Sequence, residues 1–361
     1  MIDITADASA QIVSSPPQAA PPSAPLAALL ANSRGLPVLR AAYSDRTAAL
    51  MAQLSALAYK DLTSFENQPQ PAPDSLQALG FNSIVSFHNG LDDGWAYIAE
   101  GERMIALVFR GTASELNWRT NLRAIEIRPD RNNPLLKVHA GFYAAYKLLA
   151  NGEKTSPTAI RPDTQNKSFV KPVFDAIRVI FADIVNATPG NEKAQFEDRQ
   201  KTSAGIESYI AALKVKTKGS VPIYIAGHSL GGALAQIAAA GMGGDQVAAC
   251  YTFGSPRVGN VYFDLWVKAP SYRVVNYADI VPQTPLPIGY RHSGDARYLP
   301  DKVSATPFRF SPNIFQRAIQ LLVGIRQLIL HGSILGIEDH AISRYADKLL
   351  GVATARTQQS Q

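Results

Sequence analysis

Cysteine is almost missing from this chain, Cys250 being the single one. One thiol can close no internal disulfide and build no thiolate cluster, which excludes a disulfide-stapled scaffold and a cysteine-held zinc site. Cys250 lies in Val247–Phe253, a strand-like run, and reads as a small buried apolar side chain. The six histidines include no His-x-x-x-His pair, and no paired-carboxylate spacing points to a metal cage, so neither a metal nor a cofactor is expected. Long apolar runs are missing too. Asn313–Leu330 places Phe315, Ile319, Leu322, Ile325 and Ile329 on one stripe, with Asn313, Arg317, Gln320 and Gln327 roughly opposite. A bilayer span needs about 20 largely apolar residues, so the segment reads as a core-packed helix, with contact at a membrane surface as the second reading. The opening Met-Ile-Asp-Ile-Thr-Ala-Asp shows neither a basic nor an apolar signal region. No Sec-type leader is therefore expected, which leaves a reducing compartment or another export route open. The formal net charge of +6 comes from scattered Lys and Arg without an aromatic-interleaved basic patch, and nucleic-acid binding is not expected.

What is present suits one large domain with appendages. The chain has 361 residues, of which 46% are hydrophobic and 18% charged, enough for a well-buried core. Residues 1–35 carry the tract Ser14-Ser-Pro-Pro-Gln-Ala-Ala-Pro-Pro-Ser-Ala-Pro25, which cannot pack a core and is expected to be disordered. Residues 36–350 are expected to form the domain, with a helical insertion near 150–205, and 351–361 a frayed polar tail. Residues 45–60 read as an amphipathic helix, and Trp95–Ala99 with Met104–Phe109 as a hairpin around Glu100-Gly101-Glu102. Helical spacing recurs at Val173, Phe174, Ile177, Ile180, Phe181 and Ile184, and again at Ile206, Tyr209, Ile210 and Leu213.

The most informative stretch is Val221–Gln236, an apolar strand, a Gly-His-Ser-Leu-Gly turn and a small-residue helix. A serine between strand and helix in this way is presented as a nucleophile at the top of an α/β sheet. Ser229 is that serine, and Gly227 and Gly231 keep side chains out of the crowded turn. The backbone N–H of Leu230, the next residue, is the expected first oxyanion donor. In such hydrolases the acid and then the histidine follow the nucleophile along the chain. Asp279 is the best-placed acid, because it follows the strand-like Tyr272–Asn276 and so falls at the carboxyl edge of a sheet. Asp264, in a helical stretch, and Asp245, in a glycine-rich loop, are less well placed. For the base, His340 and His292 compete, and spacing does not separate them, since a base needs only hydrogen-bond reach after folding. His331 reads as a helix-terminus residue and His228 as a structural one pointing away from the nucleophile.

Five blocks in order resemble those of the class 3 (fungal-type) lipases of the α/β-hydrolase superfamily. They are Leu107-Val-Phe-Arg-Gly-Thr112 with Asn117-Trp118; Val138-His-Ala-Gly-Phe142 with Tyr146; Gly227-His-Ser-Leu-Gly-Gly232 followed by Thr252–Asn260; Asn276-Tyr-Ala-Asp-Ile-Val-Pro282; and Asp339-His340 with Tyr345. The resemblance spans roughly residues 95–348. It implies an α/β-hydrolase fold, with a mostly parallel central sheet and helices on both faces. It also implies Ser229 as nucleophile, Asp279 as acid and His340 as base, with a non-catalytic place for His292. Thr112 would be the second oxyanion residue, through its backbone N–H and hydroxyl, and Arg110 would tie neighbouring loops together. Leu116, Trp118, Leu122, Ile125 and Ile127 would form a short amphipathic lid, or pack on the core.

The expected function is hydrolysis of carboxylic esters through an acyl-enzyme, with acylglycerols the first substrate class and transient lipid-surface contact. A phospholipase A or short-chain esterase with the same three residues is the nearest alternative. An inactive binding module on the same fold is the alternative of another kind.

Overall fold

The computed structural model describes residues 42–88, 95–111, 126–130, 132–155, 199–201, 205–276, 279–285, 287–300 and 337–359. The Pro-rich segment, Thr112, the lid stretch through Ile125, the Val173–Ile184 periodicity, the Asn313–Leu330 stripe and His331 lie outside these residues.

In chain order the helices are α1 (Asp45–Leu57), α2 (Asp74–Gln77), α3 (Ala140–Asn151), α4 (Ile206–Thr217), α5 (Leu230–Met242), α6 (Val261–Trp266), α7 (Ile337–His340) and α8 (Ile342–Gln359). The strands are β1 (Gln70–Pro71), β2 (Phe81–His88), β3 (Trp95–Gly101), β4 (Ile105–Phe109), β5 (Glu126–Ile127), β6 (Val138–His139), β7 (Glu153–Thr155), β8 (Arg199–Lys201), β9 (Ile223–His228), β10 (Val247–Phe253), β11 (Ser271–Asn276) and β12 (Asp295–Leu299).

Eight strands form one sheet in the order β1-β2-β3-β4-β9-β10-β11-β12. The first four pair antiparallel, and β4, β9, β10, β11 and β12 run parallel. A parallel sheet has both faces covered, so its strands read as continuous apolar runs. In β4 and β9 every residue is buried. Alternate residues serve opposite cores: Tyr224 and Ala226 face the layer containing α1 and α8, while Ile223 and Ile225 face the layer of α3, α4 and α5. The carboxyl ends of β9, β10 and β11 therefore lie side by side at one edge, where sites of open α/β sheets assemble.

Two helices differ from their sequence reading. The amphipathic pattern expected for α1 is buried almost all round, from Thr47 to Leu57. It is enclosed between the sheet and α8, so its outer face has protein rather than water to meet. The frayed tail expected after Gly351 is helical to Gln359. Ile342, Tyr345, Ala346, Leu349, Val352 and Ala353 are buried at helical spacing, so the stripe continues past Gly351. Arg356 then pairs with Asp45 at the start of α1, and Arg46 donates to the Thr357 hydroxyl. Part of the insertion region is a two-stranded sheet of β7 and β8 rather than helix. No described helix is long and apolar enough to cross a membrane.

Candidate active site

Ser229 stands between the last residue of β9 and the first of α5, with φ 57° and ψ −128°. An L-residue is held there only when its surroundings over-determine it. Three glycines supply that crowding. A Cβ on Gly227 would collide with the Gly231 backbone, one on Gly231 with the backbone of Phe109 and Arg110, and one on Gly232 would lie 2.7 Å from Ser255 Cβ. The Ser229 N–H donates to Phe253 O at 2.9 Å, which fastens the turn to the end of β10. Ser229 is buried, and Leu230 follows as the first residue of α5. The first N–H groups of a helix have no acceptor within the helix itself; here the Gly232 N–H donates to Ser229 O at 2.9 Å.

Asp279 sits in the turn after β11, and its N–H donates to Asn276 O at 3.1 Å. Its buried carboxylate receives three donors. Val281 N–H reaches Oδ1 at 2.9 Å, His340 Nδ1–H reaches Oδ2 at 2.8 Å, and the Tyr345 hydroxyl shares Oδ2. Burial first, then the Asp279 charge, hold the Tyr345 phenol far above its ordinary range, so it stays a neutral donor. With its proton on Nδ1, His340 presents Nε2 as a lone pair. That atom is buried and has no hydrogen-bond partner among the described residues.

Gly254 marks where these pieces meet. It follows Phe253, whose carbonyl holds Ser229, and has φ +58°. A Cβ there would fall 2.6 Å from Asp279 Oδ2 and 2.9 Å from both His340 Nδ1 and Cε1. Ser229, held by the Phe253 carbonyl, and the Asp279–His340 pair, packed on Gly254, thus both border the carboxyl end of β10 from positions far apart in sequence. The α7–α8 corner is pinned to β11 by Asn276, whose side chain donates to Asp339 O at 2.8 Å and accepts from Lys348 Nζ at 2.7 Å. The Asn276 N–H itself donates to the Tyr345 hydroxyl at 3.0 Å.

The other sequence candidates lie elsewhere. His292 Nε2 bonds Pro282 O at 2.8 Å, in the loops after the acid. Asp264 pairs with Arg291 at 3.6 Å, and Asp245 is exposed in a turn. Thr112 is outside the described residues, but Gly111 before it borders the elbow, its would-be Cβ 3.0 Å from Ser229 Cβ. The Arg110 guanidinium lies 5.8 Å from the centre of the Tyr59 ring. His228 does not simply point away: its ring bonds the Tyr59 hydroxyl and the His340 carbonyl. Sequence reading missed Tyr59, whose proximity to the site arises from long-range packing, and named Gly254 and Asn276 only as members of longer blocks, without these contacts. Among the described residues no group of three or more His, Cys, Asp and Glu is arranged to hold a metal ion.

Comparison with known proteins gives four results. The secreted mono- and diacylglycerol lipase 1 of Fusarium solani is 31% identical over 144 residues, covering 38% of this chain and 41% of that protein. The chloroplastic phospholipase A1-Igamma2 of Arabidopsis thaliana is 27% identical over 206 residues, covering 51% of this chain and 31% of that protein. The chain thus spans less than half the length of these curated relatives. Lipase II from Rhizopus niveus superposes with a TM-score of 0.48 at 21% identity, over 71% of this chain and 80% of that one. A family model described as Lipase (class 3) matches residues 106–288, just over half of the chain, from within β4 through the elbow to beyond the acid turn. On that match the chain belongs to the class 3 lipase family.

Proposed function

We propose that this protein hydrolyses carboxylic esters of lipids, acylglycerols first, with Ser229 as nucleophile, His340 as general base and acid, and Asp279 as the group that orients the imidazole. The observation that carries the reading is the 2.8 Å pair of Asp279 Oδ2 and His340 Nδ1 beside a serine held at φ 57°. His340 Nε2 takes the Ser229 proton as Oγ bonds to the ester carbonyl carbon. It then returns the proton to the leaving alcohol as the C–O bond breaks, and water repeats the cycle on the acyl-enzyme. Asp279 steadies the protonated imidazole without taking its proton. Leu230 N–H and Thr112 are the oxyanion donors, and losing one such donor costs about 10²–10³ in turnover. The active face meets a lipid surface transiently. The named activities of the two relatives, one on mono- and diacylglycerols and one a phospholipase A1, make phospholipid the second substrate class.

A fluorophosphonate probe tests the chemistry. Labelling at Ser229 that is lost in Ser229→Ala is expected, and a folded chain that refuses the probe is a binding module instead. Initial rates on p-nitrophenyl esters of increasing chain length, beside diacylglycerol emulsions and phosphatidylcholine vesicles, decide among lipase, phospholipase and short-chain esterase.

A further inference from the structure

The imidazole of His228 is buried and makes two hydrogen bonds. Nε2 lies 2.6 Å from the carbonyl oxygen of His340, and Nδ1 lies 2.7 Å from the hydroxyl of Tyr59. A carbonyl only accepts, so Nε2 carries the ring proton; Nδ1 is then an acceptor, and the Tyr59 hydroxyl donates to it. Burial first, and the neighbouring His340 ring second, hold the His228 pKa well below 6.5, so the ring stays neutral. Its centre is 4.5 Å from that of His340 and 5.7 Å from that of Tyr59.

We infer that His228 and Tyr59 are positioning residues, which locate the His340 imidazole against Ser229 by holding the His340 main chain. The inference rests on the triad reading above. Asp279 holds the ring of His340 at Nδ1, and Asn276 ties the α7–α8 corner to β11, which leaves these bonds two strands away from β9. The His228 bond closes that gap, because it joins the residue next to the nucleophile directly to the backbone of the base. Tyr59 supports it from the segment after α1. Its hydroxyl borders Gly111, so one side chain touches both the residue after Arg110 and the elbow's positioning histidine. Neutrality matters for the reaction: a charged ring 4.5 Å away would repel the imidazolium that His340 becomes during acyl transfer.

The test compares His228→Gln, His228→Asn and Tyr59→Phe in the full chain. A Gln amide extends to the place of Nε2 and can still donate to His340 O, whereas an Asn amide reaches only toward Tyr59. A misplacement of about 1 Å can cost on the order of 10²-fold in rate. His228→Asn is therefore expected to lose about that much kcat, with KM within about twofold, on p-nitrophenyl butyrate. His228→Gln should recover most of the loss, and Tyr59→Phe should fall between the two. Fluorophosphonate labelling of Ser229 should slow in the same order. Equal kcat in His228→Asn and the native chain overturns the inference, as do Gln and Asn variants that lose kcat alike. If His228→Asn fails to fold, Tyr59→Phe decides, and an unchanged kcat there overturns it. A native chain that neither labels nor cleaves esters instead sinks the triad reading beneath it.

Discussion

At the scale of single residues, the site depends on hydrogen bonds whose direction is set by what each atom can do. Asp279 offers only acceptors to three donors, two of them on one oxygen. In Asp279→Asn the amide must turn an N–H against one of these donors, which releases the His340 tautomer. Turnover of a soluble ester is expected to drop by about 10³–10⁴ with the melting temperature little changed. A variant within tenfold of the native rate would remove the carboxylate from the chemistry. His228 supplies a second prediction, on stability. Its folded pKa is depressed, so below about pH 6.5 the unfolded chain takes up a proton that the folded chain refuses. Its contribution is fully present above that pH and declines on acidification, by at most about 1.4 kcal/mol per pH unit. Urea unfolding at pH 7.5, 6.0 and 5.0 should give a shallower acid slope in His228→Gln than in the native chain. Identical slopes would mean the folded imidazole protonates freely.

At the scale of elements, the site is a meeting of ends. β9 leads into Ser229, β10 into the narrow Gly254, β11 into the turn of Asp279, and the α7–α8 corner carries His340. The corner is only as well placed as α8, which is anchored along the length of α1. Truncation after Gly351 removes the buried Val352 and Ala353 and the Arg356–Asp45 pair. It is expected to cost roughly 2–4 kcal/mol, counting one buried valine, a buried alanine and a partly exposed ion pair. Denaturant titration of the truncated chain measures this, and an unchanged midpoint would show that the last turns of α8 add nothing. Ester turnover should suffer as well, through loosened placement of His340.

At the scale of the whole molecule, two cores sandwich the sheet, and the lone thiol lies in one of them. Cys250 lies in a central strand, fully enclosed, and burial pushes its pKa up to about 12. A thiolate is the reactive form, so a water-soluble disulfide reagent should not modify it in the native state. Modification is expected to follow global opening, its rate rising with urea in parallel with loss of far-UV ellipticity. Rapid labelling without denaturant would reveal local opening at β10.

Local pattern made the frame legible. The apolar runs of β9, β10 and β11, the strand–turn–helix around Ser229 and the hairpin of β3 and β4 each satisfy a rule that spans only a few neighbours. The same holds for the position of Asp279 just past the end of a strand. The polar sequence after Gly351 concealed a helix, because its stability comes from packing on α1 and not from its own composition. The choice between His340 and His292 was not written in their spacing either. In the fold one ring faces Asp279 at 2.8 Å and the other bonds Pro282 O. Nor could residue types alone bring Tyr59 to His228, 169 positions away, since that contact exists only once α1 is laid against the sheet. Sequence by itself determined the strand–turn–helix around Ser229, the parallel strands β9 to β11 and the β3–β4 hairpin, since those follow from short-range sterics and periodicity. Tertiary structure decided which of them touch, because contacts between distant segments are set by how whole faces pack.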